Sequence, residues 1–137
     1  MSRRFDQVNV GDELPELAID ITTTLIVAGA IASRDYQDVH HDEAMARERG
    51  TPGIFMNILT TNGLVGRFVT DWAGPDATIT RISIRLGVPN FAGDTMRLTG
   101  TVTGAEPDDT GGRVEIEVRG RNRLGDHVTG SVTVGLP

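Results

Sequence analysis

Apolar positions along the chain change period near Gly74-Pro75, with helical spacing before that point and strict alternation after it. From Glu16 to Thr23 the β-branched residues Ile19, Ile21, Thr22 and Thr23 predict a first strand. Leu25, Ala28, Ile31 and Ala32 then predict a short amphipathic helix that breaks near Ser33. A second short helix is predicted over Asp42 to Arg49, with acids in its first turn, bases in its last and Gly50 as its stop. Thr51-Pro52-Gly53 reads as a turn. The longest periodic segment runs from about Ile54 to Trp72 and carries Ile58, Val65, Phe68, Val69 and Trp72 on one stripe. Phe55, Leu59 and Leu64 widen that stripe, which predicts a core helix enclosed by the rest of the fold. Gly63 and Gly66 each cost about 1 kcal/mol of helix propensity relative to Ala, so they read as places where another backbone comes close.

Beyond Pro75 the even-numbered positions are apolar in four segments: Ile82, Ile84, Leu86; Met96, Leu98, Val102; Val114, Ile116, Val118; Val128, Val132, Val134. Their odd-numbered neighbours are mainly Thr, Ser, Arg or Glu, the period of strands with one wet face. Pro89-Asn90, Asp108 to Gly112 and Leu124-Gly125-Asp126 supply turn chemistry, so an antiparallel meander is expected. Gly100, Gly120 and Gly130 fall on the inward register, where they would leave a trough for the helix. Pattern alone reaches an α+β class. A long helix wrapped by a curved antiparallel sheet resembles the hot-dog arrangement, expected here as a single domain over residues 1–137. Its open sheet edges and one thinly covered side predict a dimer or larger assembly.

Composition narrows the function classes. A chain of 137 residues with 38% hydrophobic content supports one core. Its net charge of −6, with all thirteen basic residues being Arg, opposes a nucleic-acid partner held by phosphate contacts. The absence of Cys excludes a disulfide framework, a thiolate metal site and a cysteine nucleophile, and it fits a reducing compartment, so a cytoplasmic location is expected. The longest apolar run, Leu25 to Ala32, has eight residues against the roughly 20 that a bilayer crossing needs, so no membrane span is expected. The start, Met1 to Gln7, lacks an apolar signal core, and no export is expected. No Gly-x-Ser-x-Gly elbow is present for a nucleophilic serine.

The one dense cluster of titratable groups is Arg34-Asp35-Tyr36-Gln37-Asp38-Val39-His40-His41-Asp42, between the two short helices. In a continuous helix Asp35 and His40 would diverge by about 140°, so only a break in the chain brings carboxylate and imidazole onto one water. Such a pair can supply base and acid in a single site. The plainer reading is a helix cap and a solvated turn. Asp42 fits the cap of the next helix, His41 a solvent-facing neighbour, and Asp38 either role. A metal site built from His40, His41 and His127 lacks a close third ligand, so no metal is expected, and His127 reads as a hairpin residue.

The string RDYQDVHHD, followed by a long helix and by strands carrying a VPNFAGDT turn, resembles the MaoC-like, R-specific enoyl-CoA hydratase family over nearly the whole chain. More narrowly, NILTTNGLVGRFVTDWAGP, RLGVP and GRNRLGDHVTG are similar to small subunits of actinobacterial members acting on a steroid side chain during cholesterol degradation. Family hydratases carry an Asp-x-Asn-Pro-x-His motif, and the match places Asp35 and His40 on its catalytic Asp and His. Gln37 and Asp38 stand where the family has Asn-Pro, so here other contacts must hold the loop. The family's His-Gly at the start of the central helix, where the glycine N–H polarises the thioester carbonyl, is matched by Phe55-Met56. A backbone donor needs no particular side chain, so Met56 is the expected oxyanion donor, with Asn57 second. Gly53, Ile54 and Phe55, at the start of that helix, are the expected substrate contacts.

The resemblance implies a hydratase, or a dehydratase in reverse, acting on a 2-enoyl-CoA thioester with no cofactor beyond the CoA of the substrate. It also implies a larger MaoC-like partner subunit, with this chain supplying the catalytic pair; a homodimer handling ordinary acyl chains is the alternative. A hot-dog thioesterase, a non-catalytic acyl-CoA-binding subunit and a small-molecule sensor are the other readings.

Overall fold

The computed structural model describes residues 1–137. In chain order its elements are β1 (Glu13–Asp20), α1 (Thr23–Ala32), α2 (Glu43–Glu48), α3 (Ile58–Ala73), β2 (Thr78–Leu86), β3 (Thr95–Asp108), β4 (Gly111–Asn122) and β5 (Gly125–Leu136). Single 3-10 turns cover Phe5–Gln7 and Asp38–His40. The five strands form one antiparallel sheet in the order β1-β3-β4-β5-β2. α3 lies on its inner face in the hot-dog arrangement, with Val65, Phe68, Val69 and Ala73 turned towards the core.

The inward register is the predicted one. Met96, Leu98, Val102, Val114, Ile116, Val118, Val128, Val132 and Val134 are each no more than 1% exposed. Full burial of a Val or Leu side chain contributes about 1.5–3 kcal/mol, so this row is the main cohesive element of the fold. The meander, by contrast, is limited to β3, β4 and β5. β2 pairs with β5 at the far edge, and Pro89-Asn90 belongs to a crossover instead of a hairpin. Alternation specifies which face of a strand is buried and says nothing about which strand lies beside it.

Element boundaries moved where side chains cap helices. Thr22 Oγ1 accepts the Leu25 N–H at 3.0 Å, so Thr22 and Thr23 begin α1 and β1 ends at Asp20. α1 buries Ile26 and Ala30 and leaves Ile31 48% exposed, a different face from the one predicted. Its apolar residues run all round the helix, so periodicity had no polar side to choose against. α2 follows the prediction, with Asp42 Oδ1 accepting the Met45 N–H at 3.1 Å.

α3 starts four residues later than predicted and is not enclosed. Asn57 caps it, and Ile58 and Leu59 are 50% and 54% exposed. Neither helix glycine is met by another backbone: a side chain at Gly66 would fit in ordinary contact with Ile79 and Ile82 of β2, and Gly63 faces open space. Of the three inward sheet glycines, Gly100 alone receives the helix, through Phe68. The space beside Gly120 is filled by Met96, Leu98 and Val128, and Gly130 lies against the backbone of β2. No helix is long and apolar enough to cross a membrane.

Candidate active site

The predicted break after α1 is present. Ser33 Oγ donates to the Gly29 carbonyl at 2.7 Å, and Arg34 adopts a left-handed conformation with φ of 56°. The Asp35 N–H then closes the turn on the Ala30 carbonyl at 2.9 Å. This turn directs the Asp35 side chain off the helix axis, and the Asp38–His40 turn brings His40 back towards it. Asp35 Oδ2 and His40 Nε2 end 3.4 Å apart, with side chains 23% and 8% exposed.

The missing Asn-Pro is replaced by an ion pair. Arg49, just past α2, forks onto Asp38 through Nε–Oδ1 at 2.8 Å and Nη2–Oδ2 at 2.9 Å. The guanidinium holds the Asp38 carboxyl below the usual carboxylate range, and the loop is tied to α2 by contacts that a proline ring would not make. Asp38 is therefore a loop anchor. His41 is exposed, with Nε2 at 3.2 Å from the Tyr36 carbonyl.

His40 Nδ1 lies 2.7 Å from the Phe55 carbonyl, which can only accept, so Nδ1 carries the hydrogen and Nε2 turns a lone pair towards Asp35. Phe55 also packs edge-on to the imidazole, with ring centroids 5.0 Å apart. Its own position is set by its N–H to the Val39 carbonyl at 3.2 Å and by a bridge to Phe91 in the crossover.

Asn57 meets the pair from the other side. Its Nδ2 donates to Asp35 Oδ2 at 3.1 Å and to Ser33 Oγ at 2.9 Å. Its Oδ1 accepts the Thr60 N–H at 3.1 Å and the Thr60 hydroxyl. The Asp35 carboxyl is held below its ordinary range, chiefly by this amide and also by the Gln37 N–H on Oδ1 and by the positive charge of His40 when that ring is protonated, against the opposing effect of desolvation.

The expected oxyanion donor changes. The Met56 N–H is engaged by the Asn90 carbonyl at 3.0 Å, which leaves Asn57, the second expected donor, at the start of α3. The N–H groups of Asn57, Ile58 and Leu59 have no acceptor within the chain, the usual state of a helix start. Phe55 and Asn57 thus join Asp35 and His40, whereas Gly53 and Ile54 do not. Both are buried and line a cleft of about 220 Å³ with Glu43, Arg47, Phe91 and Arg123. Clefts of about 380 Å³ on the outer sheet face and about 470 Å³ beside Tyr36 and Arg49 are also lined by neither Asp35 nor His40.

His127 lies in the β4–β5 hairpin, as expected, and is buried there, 1% exposed. Its Nδ1 donates to the Val88 carbonyl at 2.7 Å and its Nε2 accepts from Thr61 Oγ1 at 2.8 Å, linking β5, the crossover and the first turn of α3. A register shift between β4 and β5 at Gly120/Arg121 breaks the even-odd pattern just before it. Burial pushes its pKa down. No three carboxylate or imidazole groups converge as a metal site would require.

With this geometry in place, comparison with known proteins is decisive about kinship. Residues 7–126 match the family described as MaoC like domain. The chain belongs to the MaoC-like family. This MaoC-like chain is 50% identical over 127 residues, 93% of its length and 95% of the relative's, to the 3-oxo-4,17-pregnadiene-20-carboxyl-CoA hydratase beta subunit of Mycobacterium tuberculosis. It superposes with a TM-score of 0.89 on a chain of the ChsH1–ChsH2 complex of the same organism, at 50% identity and covering 94% of this chain and 98% of that one. R-hydratase PhaJ1 of Pseudomonas aeruginosa shares the fold, with a TM-score of 0.90 at 21% identity, covering 99% of this chain and 86% of that one.

Proposed function

We propose that this MaoC-like chain is an enoyl-CoA hydratase, adding water across the α,β double bond of a CoA thioester. The observation that carries the reading is the 3.4 Å approach of Asp35 Oδ2 and His40 Nε2, each anchored from behind. A water seated to one side of the pair lies within hydrogen-bond reach of both groups. As the water oxygen bonds to Cβ, its proton passes to the pair and the π electrons move onto Cα and the thioester oxygen. The proton then returns to Cα, so the elements of water are added with no redox change. Negative charge on the thioester oxygen is met by the open N–H groups of Asn57 and Ile58 at the start of α3, where prealigned donors contribute more than they would in bulk water. Phe55 forms the adjoining wall, and no cofactor is needed beyond the CoA of the substrate.

The substrate is a steroid carrying a shortened, unsaturated side chain, supported by the 50% identity to a subunit that hydrates such a thioester. The working unit is a complex with a larger MaoC-like subunit, acting in the cytoplasm. The half-exposed Ile58 and Leu59 at the start of α3, and the half-buried Ile82, Ile84 and Leu86 on edge strand β2, leave an apolar border for that subunit to cover.

Loss of enoyl absorbance, measured with steroid-derived and short linear enoyl-CoAs, with and without the co-expressed larger subunit, tests the reading. Hydration of the steroid thioester by the complex is expected. Release of CoA thiol without hydration identifies a thioesterase instead, and a stable homodimer active on short chains overturns the steroid assignment.

A further inference from the structure

Asn57 is 2% exposed and makes four side-chain hydrogen bonds, two on each end of its amide. The orientation of that amide is forced. The Thr60 backbone N–H can only donate, so the Asn57 oxygen must face it, and both amide hydrogens are left for Ser33 and Asp35. We infer that the side-chain amide of Asn57 is the positioning residue of the pair, holding Asp35 Oδ2 opposite His40 Nε2 and keeping that carboxylate an anionic acceptor.

The two ends of the amide do separable work. The oxygen caps α3, a task that Ser performs as well as Asn. The nitrogen donates to Asp35, and an amide N–H can donate to a carboxylate but cannot accept from a carboxylic acid. Each donor on Asp35 therefore favours its ionised form, and the depressed Asp35 titration agrees with this. Asp35 is at the end of α1 and His40 is fixed through Phe55, so Asn57 is the side chain that ties the carboxylate to the start of α3, where the open N–H groups are. The contact is itself braced. Thr60, which donates twice to the Asn57 oxygen, is pressed against Gly29 of α1, where no side chain fits.

The inference rests on the hydratase reading for its kinetic readout, and Asn57→Ser separates it from a purely structural role. That substitution retains a capping oxygen, while its shorter side chain withdraws the donor from Asp35 without adding a charge. In the chain with its larger subunit, Asn57→Ser is expected to melt close to the wild type while kcat falls about 100-fold, the scale of a misplaced reacting group. KM should stay within about threefold, because the lost contact acts on chemistry and not on uniform binding. Asn57→Ala, which loses both functions, should match the loss in kcat and also melt lower. The Asp35 carboxyl, followed by carbon-13 NMR titration, should move upward in both variants. Wild-type kcat in Asn57→Ser, an unchanged Asp35 titration, or failure of Asn57→Ser to fold overturns the inference. A wild-type complex without hydration activity overturns the hydratase reading alone, since the titration still decides the role of Asn57.

Discussion

His40 and His127 share one half of their surroundings and differ in the other. Both donate Nδ1–H to a backbone carbonyl at 2.7 Å, Phe55 for the first and Val88 for the second. Both are nearly buried. At Nε2 they diverge: His127 is satisfied by the Thr61 hydroxyl at 2.8 Å, whereas His40 faces the Asp35 carboxylate at 3.4 Å. A ring with both nitrogens engaged in the core is a strut. A ring with one anchored nitrogen and a lone pair beside an anion is prepared to exchange a proton. With burial and anchoring alike, the difference between the two rings lies in what faces the second nitrogen, a hydroxyl for His127 and a carboxylate for His40.

Four experiments break or sharpen that contrast. The largest effect is expected from His40→Ala and Asp35→Asn, each lowering kcat by at least about two orders of magnitude in steady-state assays while melting temperature and solubility are retained. Loss of soluble protein in both would instead make the pair structural. His127→Ala should do the reverse, costing about 2–4 kcal/mol in urea unfolding through a cavity and two unpaired groups, with kcat per folded molecule near the wild-type value. Next comes Gly29→Ala, whose Cβ would overlap the Thr60 hydroxyl. Overpacking of this kind costs about 1–3 kcal/mol, and by pushing Thr60 against Asn57 it should also lower kcat, linking a silent helix contact to the site.

The smallest effect is in the pH dependence of stability. The folded-state pKa of His127 lies below that of the unfolded chain, so its contribution is complete above about pH 6.5 and is lost as pH falls and the unfolded state takes up a proton. Melting temperature should therefore drop between about pH 7 and about pH 5, and His127→Gln should flatten part of that slope. An unchanged slope in the variant would assign the acid sensitivity elsewhere. Asp35, also depressed, stabilises above the ordinary carboxylate range and gives up its share only at lower pH, so the two contributions occupy separate windows.

Much of the site was legible in residue order. The β-branched and alternating segments, the Asp42 cap, the break near Ser33 and the pairing of Asp35 with His40 across it all follow from local pattern or from the family motif. The Asn57 cap was within reach as well, since an asparagine directly ahead of an apolar periodic run is a helix-start signal. Hydrophobic period alone carries the helix back to Ile54, and the family's His-Gly aligns with Phe55-Met56, yet the open N–H belongs to Asn57, the second expected donor. His127 was hidden by a register shift that put an odd-numbered position inside. The buried face of α1 was hidden by its apolar character all round.

The sequence by itself determined the inward row of the sheet, the α+β class and the meeting of Asp35 with His40, because period, capping and motif spacing are short-range properties written in consecutive side chains. Tertiary structure decided that β2 crosses to the far edge, that Arg49 ties Asp38 to the end of α2, and that Asp35 and His127 are each bonded to the start of α3, through Asn57 and Thr61. Each of these joins residues far apart in the chain. Such contacts form only where packing of the whole brings them within hydrogen-bond reach, and no local pattern encodes that distance.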